Sequence, residues 1–218
     1  GLGRGRGPAP GTRHGRTRRS ARPPRGSGPG RRSRGELTTR WLQASGHFEG
    51  LLDSIDPDDY GGFNLVVGDL NGGFWAWLSN RHPDQPHSEQ ADGLHHPRLS
   101  PGVYGLSNGA LDTPWPKTLA LKAAMQAALA RAQSSGDEAD LSQPLWAALA
   151  RRERALLADL PQTGVALELE HALSSAHVDI PERDYGTRCS TLMWVDTSTG
   201  PGAFKATLWE KTIDGDAT

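Results

Sequence analysis

A single cysteine, Cys189, stands in a chain of 218 residues. That excludes an internal disulfide framework and any cysteine-rich zinc site. No apolar run approaches the roughly 20 residues that an α-helix needs to cross a bilayer. The first residues also lack the apolar core of a secretory signal peptide. The lone cysteine fits a reducing compartment. Acidic residues are missing from positions 1–35, which hold eleven arginines. Residues 36–218 hold thirteen Lys or Arg against all twenty-five Asp and Glu. The formal net charge of −1 therefore conceals two different polymers joined end to end.

Residues 1–32 are mostly Arg, Gly, Pro and Ser, with one leucine and no aromatic residue. Such a segment cannot bury enough apolar surface to offset the entropy of ordering it, so disorder is expected. Two readings compete for it. It is a solvated tail, or GC-rich sequence read in an unnatural frame, or else it is an arm that binds RNA or DNA phosphates by counterion release. The acidic body argues against specific nucleic-acid binding. The opening Gly-Leu-Gly-Arg is no natural initiator and predicts a fragment.

The remainder suits one domain, residues 33–218. Leu37, Trp41 and Leu42, then Phe48, Leu51, Leu52 and Ile55, recur at helical spacing, which predicts a helical stretch over 36–55 broken at Gly46. Residues 62–69 and 73–80 read as two strands around Leu70-Asn71-Gly72, a hairpin signal. Phe63, Leu65 and Val67 share one face, as do Phe74, Ala76 and Leu78, while Trp75 and Trp77 lie opposite. Apolar residues on both faces predict a sheet covered on both sides. Helices follow over 117–133, with a Leu121, Met125 and Leu129 stripe, and over 142–160, with Leu145, Leu149, Leu156 and Leu160 inward. A third helix is expected from Thr163-Gly164 to about Ser175. A terminal hairpin is expected from residues 190–196 and 203–210. This order predicts an α+β fold with helices over a largely antiparallel sheet.

Several residues invite chemistry. His82, His87, His95 and His96 lie in a polar loop, but no partner Cys, Asp or Glu stands at metal-site spacing, so exposed loop histidines are the default. Cys189 follows Arg188 at the start of a strand; it is a small apolar sheet residue unless some base activates it. Arg151, Arg152 and Arg154 read as a solvated helix face, with a phosphate site the alternative, although no Gly-rich loop accompanies them.

The chain is organised around Leu99-Ser-Pro-Gly-Val-Tyr-Gly-Leu-Ser-Asn-Gly-Ala-Leu-Asp-Thr-Pro-Trp-Pro-Lys117. Val103 to Leu106 can form a short strand and Asn108-Gly109 a turn. Asp112 or Thr113 can cap the next helix, with Pro114 at its first position. Polar Ser107 and Asn108 then fall between strand and helix. Leu78-Ser79-Asn80 repeats Leu106-Ser107-Asn108. This stretch resembles the signature of the transport and Golgi organisation protein 2 family, also called the NRDE family. Ser33-Arg34-Gly35, Tyr60-Gly-Gly-Phe-Asn-Leu-Val-Val-Gly-Asp69, Leu160-Pro-Gln-Thr-Gly164, Glu170, Leu173-Ser-Ser175 and Tyr185-Gly-Thr-Arg-Cys-Ser-Thr191 agree, in the family's order from about Ser33 to Ile213. The family's usual Met-Cys start and Asn-Arg-Asp-Glu motif are not in this chain.

The resemblance implies a partial αββα sandwich like that of N-terminal-nucleophile hydrolases. In such enzymes the first residue is the nucleophile and its amine the base; here the first residue is Gly1. By analogy with the pockets of related hydrolases, Asn80, Asn108 and Arg188 would line a ligand site, donating hydrogen bonds to a carbonyl. The bland alternatives are an Asn-Gly turn and an Arg188 pair with Asp184 or Glu182. The resemblance further implies a non-enzymatic role in Golgi organisation and secretion, haem trafficking, and lipid or acyl-coenzyme A metabolism. It implies a cytoplasmic protein with Golgi or mitochondrial association and partners among organelle membrane proteins. No cofactor is required; haem enters as a transported ligand, with Trp75, Trp77 and Trp115 as candidate cleft walls. The alternative is an amide hydrolase whose nucleophile lies outside this chain.

Overall fold

The computed structural model describes residues 31–44, 47–82, 93–161, 166–196 and 203–213. Expectations for residues 1–30, His87, Thr163-Gly164 and the 197–202 turn lie outside the described residues. Arg31 and Arg32, which composition assigns to the leader, are tied to the domain. The Arg31 guanidinium pairs with Asp59 at 2.8 Å, and the Arg32 N–H donates to the Asp59 carbonyl at 3.0 Å.

The expected helical stretch forms as two helices, α1 (Gly35–Gln43) and α2 (Phe48–Ser54). The hairpin forms as β1 (Asn64–Asp69) and β2 (Phe74–Ser79), antiparallel, with Leu65 opposite Leu78 and Val67 opposite Ala76. Partners across a sheet share a face, so this register puts Leu65, Val67, Ala76 and Leu78 together. The two helices lay Leu37, Phe48 and Leu51 on that face, and this is the first core. Trp41, Phe48 and Phe74 close it with edge-to-face ring contacts. Each fully buried leucine there is worth roughly 1.5–3 kcal/mol in transfer free energy.

The opposite face is only half covered. Trp77 is buried, but Val66 and Trp75 are each about two-fifths exposed. Trp75 lies flat against the strand because Gly68, its cross-strand partner, has no side chain: a Cβ there would come within 2.7 Å of the indole. The expectation of a sheet covered on both faces thus holds at Trp77 and fails at Val66 and Trp75.

A third strand, β3 (Arg98–Leu99), pairs with β2 through Trp75 and Ala76. It replaces the strand expected at Val103–Leu106, which is irregular backbone. That segment is folded back on itself instead. Tyr104 Oη donates to the Ser100 carbonyl at 2.8 Å, and the Gly105 N–H donates to Asp112 Oδ1 at 2.7 Å. Asp112 takes a left-handed backbone, φ 60°, to close this loop, and Thr113 Oγ1 donates to the Ala110 carbonyl. Neither is then free to cap a helix. α3 (Pro116–Ser135) starts one residue ahead of the expected 117, but its start is built differently, with Trp115 at the N-cap and Pro116, not Pro114, in the first turn.

α3 ends at Gly136, φ 71°, whose N–H returns to the Ala132 carbonyl, a left-handed cap that suits glycine. Asp137 then caps α4 (Glu138–Leu149) by accepting from the Ala139 N–H. The two helices form a hairpin around Ala128, Leu141 and Leu145, the second core.

The helix expected over 142–160 stops at Leu149, although Arg, Ala and Leu beyond it are good helix formers. Tertiary bonds capture that backbone. The His177 N–H donates to the Arg151 carbonyl at 2.8 Å, and the Ala155 N–H donates to Ser174 Oγ at 2.9 Å. Leu156 is consequently exposed rather than inward, while Leu160 is buried as expected. A short α5 (Leu167–Ala172) precedes Ser174. Then come β4 (Asp179–Ile180) and β5 (Tyr185–Gly186), a two-residue ladder.

The terminal hairpin is β6 (Cys189–Asp196) and β7 (Lys205–Thr212), the latter two residues beyond its expected span. Alternation turns Leu192 and Trp194 onto the α3–α4 core and leaves their neighbours Met193 and Leu208, which face each other across the ladder, exposed. Every strand pairing among the described residues is antiparallel, and the fold is α+β.

Candidate functional site

The organising stretch is clamped to the first sheet by one asparagine that sequence reasoning passes over. Asn64 Nδ2 donates to the Gly109 carbonyl at 2.8 Å, and Asn64 Oδ1 accepts from Trp77 Nε1 at 3.0 Å. The fully buried Trp115 completes the clamp, its Nε1 donating to the Asn108 carbonyl at 2.7 Å. A polar residue opening the apolar run Leu65-Val66-Val67 was the available signal. Trp77 and Trp115 are therefore structural hydrogen-bond donors as well as core.

This clamp stands the segment 102–106 up as a wall with a cleft on each side. The first cleft, about 560 Å³, is lined by Val66, Trp75, Leu99, Tyr104, Leu106 and Leu111. The second, about 510 Å³, runs along the helical hairpin past Leu121, Met125, Leu129, Leu145, Leu149 and Leu192. Both are within the size range of small-molecule sites and mostly apolar. The wall sits tight against α3: a Cβ on Gly105 would overlap the methyl of Thr118, itself buried. Of the three candidate tryptophans, Trp75 lines the first cleft, and Trp77 and Trp115 line neither of the two.

The three expected site residues are not brought together in either cleft. Asn80 is buried, 2% exposed, and its amide serves the neighbouring loop. Its Oδ1 accepts from the Phe63 N–H at 2.9 Å, and its Nδ2 donates to the carbonyls of Pro57 at 3.1 Å and Tyr60 at 3.3 Å. Asn108 is exposed, and its backbone carbonyl receives Trp115. Arg188 is exposed, its carbonyl accepting from the Ile213 N–H at the end of the terminal hairpin.

Cys189 is exposed, and among the described residues no histidine or carboxylate hydrogen-bonds its thiol. The rings of His82 and His95 meet edge to face at 5.3 Å, and His95 Nε2 is buried without a hydrogen-bond partner among the described residues. No cluster of three or more His, Cys, Asp or Glu is placed to hold a metal ion among the described residues. No helix among them is long and apolar enough to cross a membrane.

The Leu173-Ser-Ser175 motif is structural. Ser174 and Ser175 are buried; Ser174 Oγ donates to the His171 carbonyl and Ser175 Oγ to the His177 carbonyl. Nearby, Lys117 reaches from the first turn of α3 to donate to the Leu173 carbonyl at 2.6 Å, its ammonium 5.1 Å from the Trp115 ring centre. Burial pushes its pKa below the ordinary lysine value.

The family model described as Transport and Golgi organisation 2 matches residues 17–215, opening ahead of the Ser33 motif. The chain is 31% identical over 172 residues to the Transport and Golgi organization protein 2 homolog of Bos taurus, covering 76% of this chain and 58% of that protein. It is 30% identical over 172 residues to the Homo sapiens homolog, with the same coverage. Against the Mus musculus Transport and Golgi organization 2 homolog it is 27% identical over 177 residues, 78% of this chain and 60% of that one. The chain thus spans about three fifths of the length of these curated relatives.

Proposed function

From the premise that this chain belongs to the transport and Golgi organisation 2 family, we propose that it is a ligand-handling protein of intracellular transport. It holds an apolar or amphiphilic molecule, haem or a lipid-like acyl compound, against the 102–106 wall. It acts by binding rather than by bond cleavage. Its setting is the cytoplasm, with Golgi or mitochondrial association, and its layered arrangement is part of an αββα sandwich. The observation that carries this reading is the pair of apolar clefts, about 560 and 510 Å³, on the two sides of one wall. Tyr104 and Leu106, each about two-fifths exposed, present apolar surface to both. Contact surface of this kind is favourable to cover and is concentrated at ligand sites. The relatives' printed names, transport and Golgi organisation, support a carrier.

The test is a titration of the full chain with hemin and, separately, with a fluorescent fatty acid. Saturable binding is expected, read as a Soret shift and as a rise in emission. Filling the second cleft with Leu121→Trp should weaken at least one of them about tenfold, the equivalent of roughly 1.4 kcal/mol. Linear, non-saturating signals for both probes, unchanged by the variant, would refute the carrier reading.

A further inference from the structure

A third cleft, about 390 Å³, opens where the start of α3 meets the chain leaving α4. Its charged lining is Lys117, Arg151, Arg154 and Glu153, and its floor is Ala120, Leu121, Ala148 and Ala176. Only thirteen Lys or Arg stand in the acidic body 36–218, and three of them meet here. The captured backbone of 151–155, which sequence periodicity assigns to a solvated helix face, is what brings them together.

These cations are under-compensated. Lys117 is half-buried, and its hydrogen-bond acceptor is a neutral carbonyl, that of Leu173. An ammonium has three N–H donors; beside that bond it has the Trp115 ring at 5.1 Å, and no carboxylate pairs with it among the described residues. Arg151 has no ion-pair partner among the described residues; only its carbonyl is used, by His177. Arg154 makes one long contact, 3.4 Å, to the Asp179 carbonyl. The Asp179 carboxylate is taken by Arg152, which is not among the residues lining the cleft. Glu153 is the one carboxylate in the lining, against three cations.

Leu121 stands in the wall of this cleft and also in that of the 510 Å³ apolar groove. From Lys117 to Leu129, α3 rises about 18 Å, so the cationic end and the far end of the groove lie along one helix. We propose that the third cleft seats the anionic head group, phosphate or carboxylate, of an amphiphile whose apolar part lies in the adjoining groove. Lys117 and Arg151 donate to the head, Arg154 closes over it, and Leu121 marks the passage from head to tail. This inference rests on the groove being a ligand site, as proposed above, and adds the head-group chemistry and the residues that read it.

The experiment is calorimetric titration of the full chain with decyl phosphate, decanol and inorganic phosphate, at low ionic strength. Decyl phosphate should bind at least tenfold more tightly than decanol, the scale of one charge-assisted hydrogen bond. Lys117→Met and Arg151→Gln should each remove that advantage and leave decanol binding unchanged. Arg152→Gln, outside the lining, should change neither. Arg151 is exposed, so its variant reads the site even if Lys117→Met disturbs the fold. Equal binding of decyl phosphate and decanol would overturn the head-group site while leaving the groove. Inorganic phosphate binding as tightly as decyl phosphate would make this a free-phosphate site and overturn the amphiphile. If neither decyl compound binds, the groove reading itself falls and this inference with it.

Discussion

Replacing Asn80 separates a structural amide from a ligand-binding one. The side chain is 2% exposed and is fully spent on the chain that leads into β1. Asn80→Ala deletes an acceptor for the buried Phe63 N–H and a donor to the carbonyls of Pro57 and Tyr60. An orphaned buried donor costs about 1–3 kcal/mol, and the lost donor and the small void add to that, so about 2–4 kcal/mol is expected. Asn80→Asp is the sharper variant. It keeps the acceptor for Phe63 but points a carboxylate oxygen at the carbonyls of Pro57, Tyr60 and Gly61, so it should be no better than alanine at neutral pH. Urea melts of both variants read the effect as a lower midpoint at unchanged slope. Asn80 lines neither apolar cleft, so hemin or fatty-acid affinity, measured well below the midpoint, should stay within about twofold of the parent. The reasoning is refuted if Asn80→Ala leaves the urea midpoint in place while ligand affinity collapses; the amide would then serve the ligand.

Gly105→Ala should cost about 1–3 kcal/mol by overpacking, since the added methyl meets Thr118 in the tight seam between wall and helix. A thermal melt checks the stability, and the same variant should weaken binding in both clefts because the wall is shared. A third prediction concerns Glu36. Burial works to raise its carboxyl pKa, but hydrogen bonds from Arg32 and Tyr60, with the charges of Arg32 and Arg40, outweigh that and hold it below the usual glutamate value. A depressed carboxyl stabilises the fold above its unfolded pKa of about 4.3, and that stability is lost as pH falls through the lower folded value. Melting temperatures taken from pH 7 down to pH 3 should therefore fall less steeply for Glu36→Gln than for the parent. Parallel curves would show that Glu36 does not contribute.

Local pattern carried the parts of this protein whose stability is itself local. Alternation of Phe63, Leu65 and Val67 against Phe74, Ala76 and Leu78 specified the first hairpin and its buried face, because a one-residue slip would put every one of those side chains in water. Helical spacing found α1, α2 and α3, and the spaced motifs were enough to place the chain in its family. Tertiary contacts decided the rest. Asp112 and Thr113 look like helix caps until the loop needs their oxygens to close on Gly105 and Ala110. Residues 151–155 have the composition of a helix, yet Ser174 and His177 hold their backbone elsewhere. Asn80 and Arg188 end up far apart in role, one a buried brace and the other exposed beside a hairpin end. A hydrogen bond between segments distant in sequence leaves no period in either, so neither clefts nor cationic pocket could be read until the chain was folded.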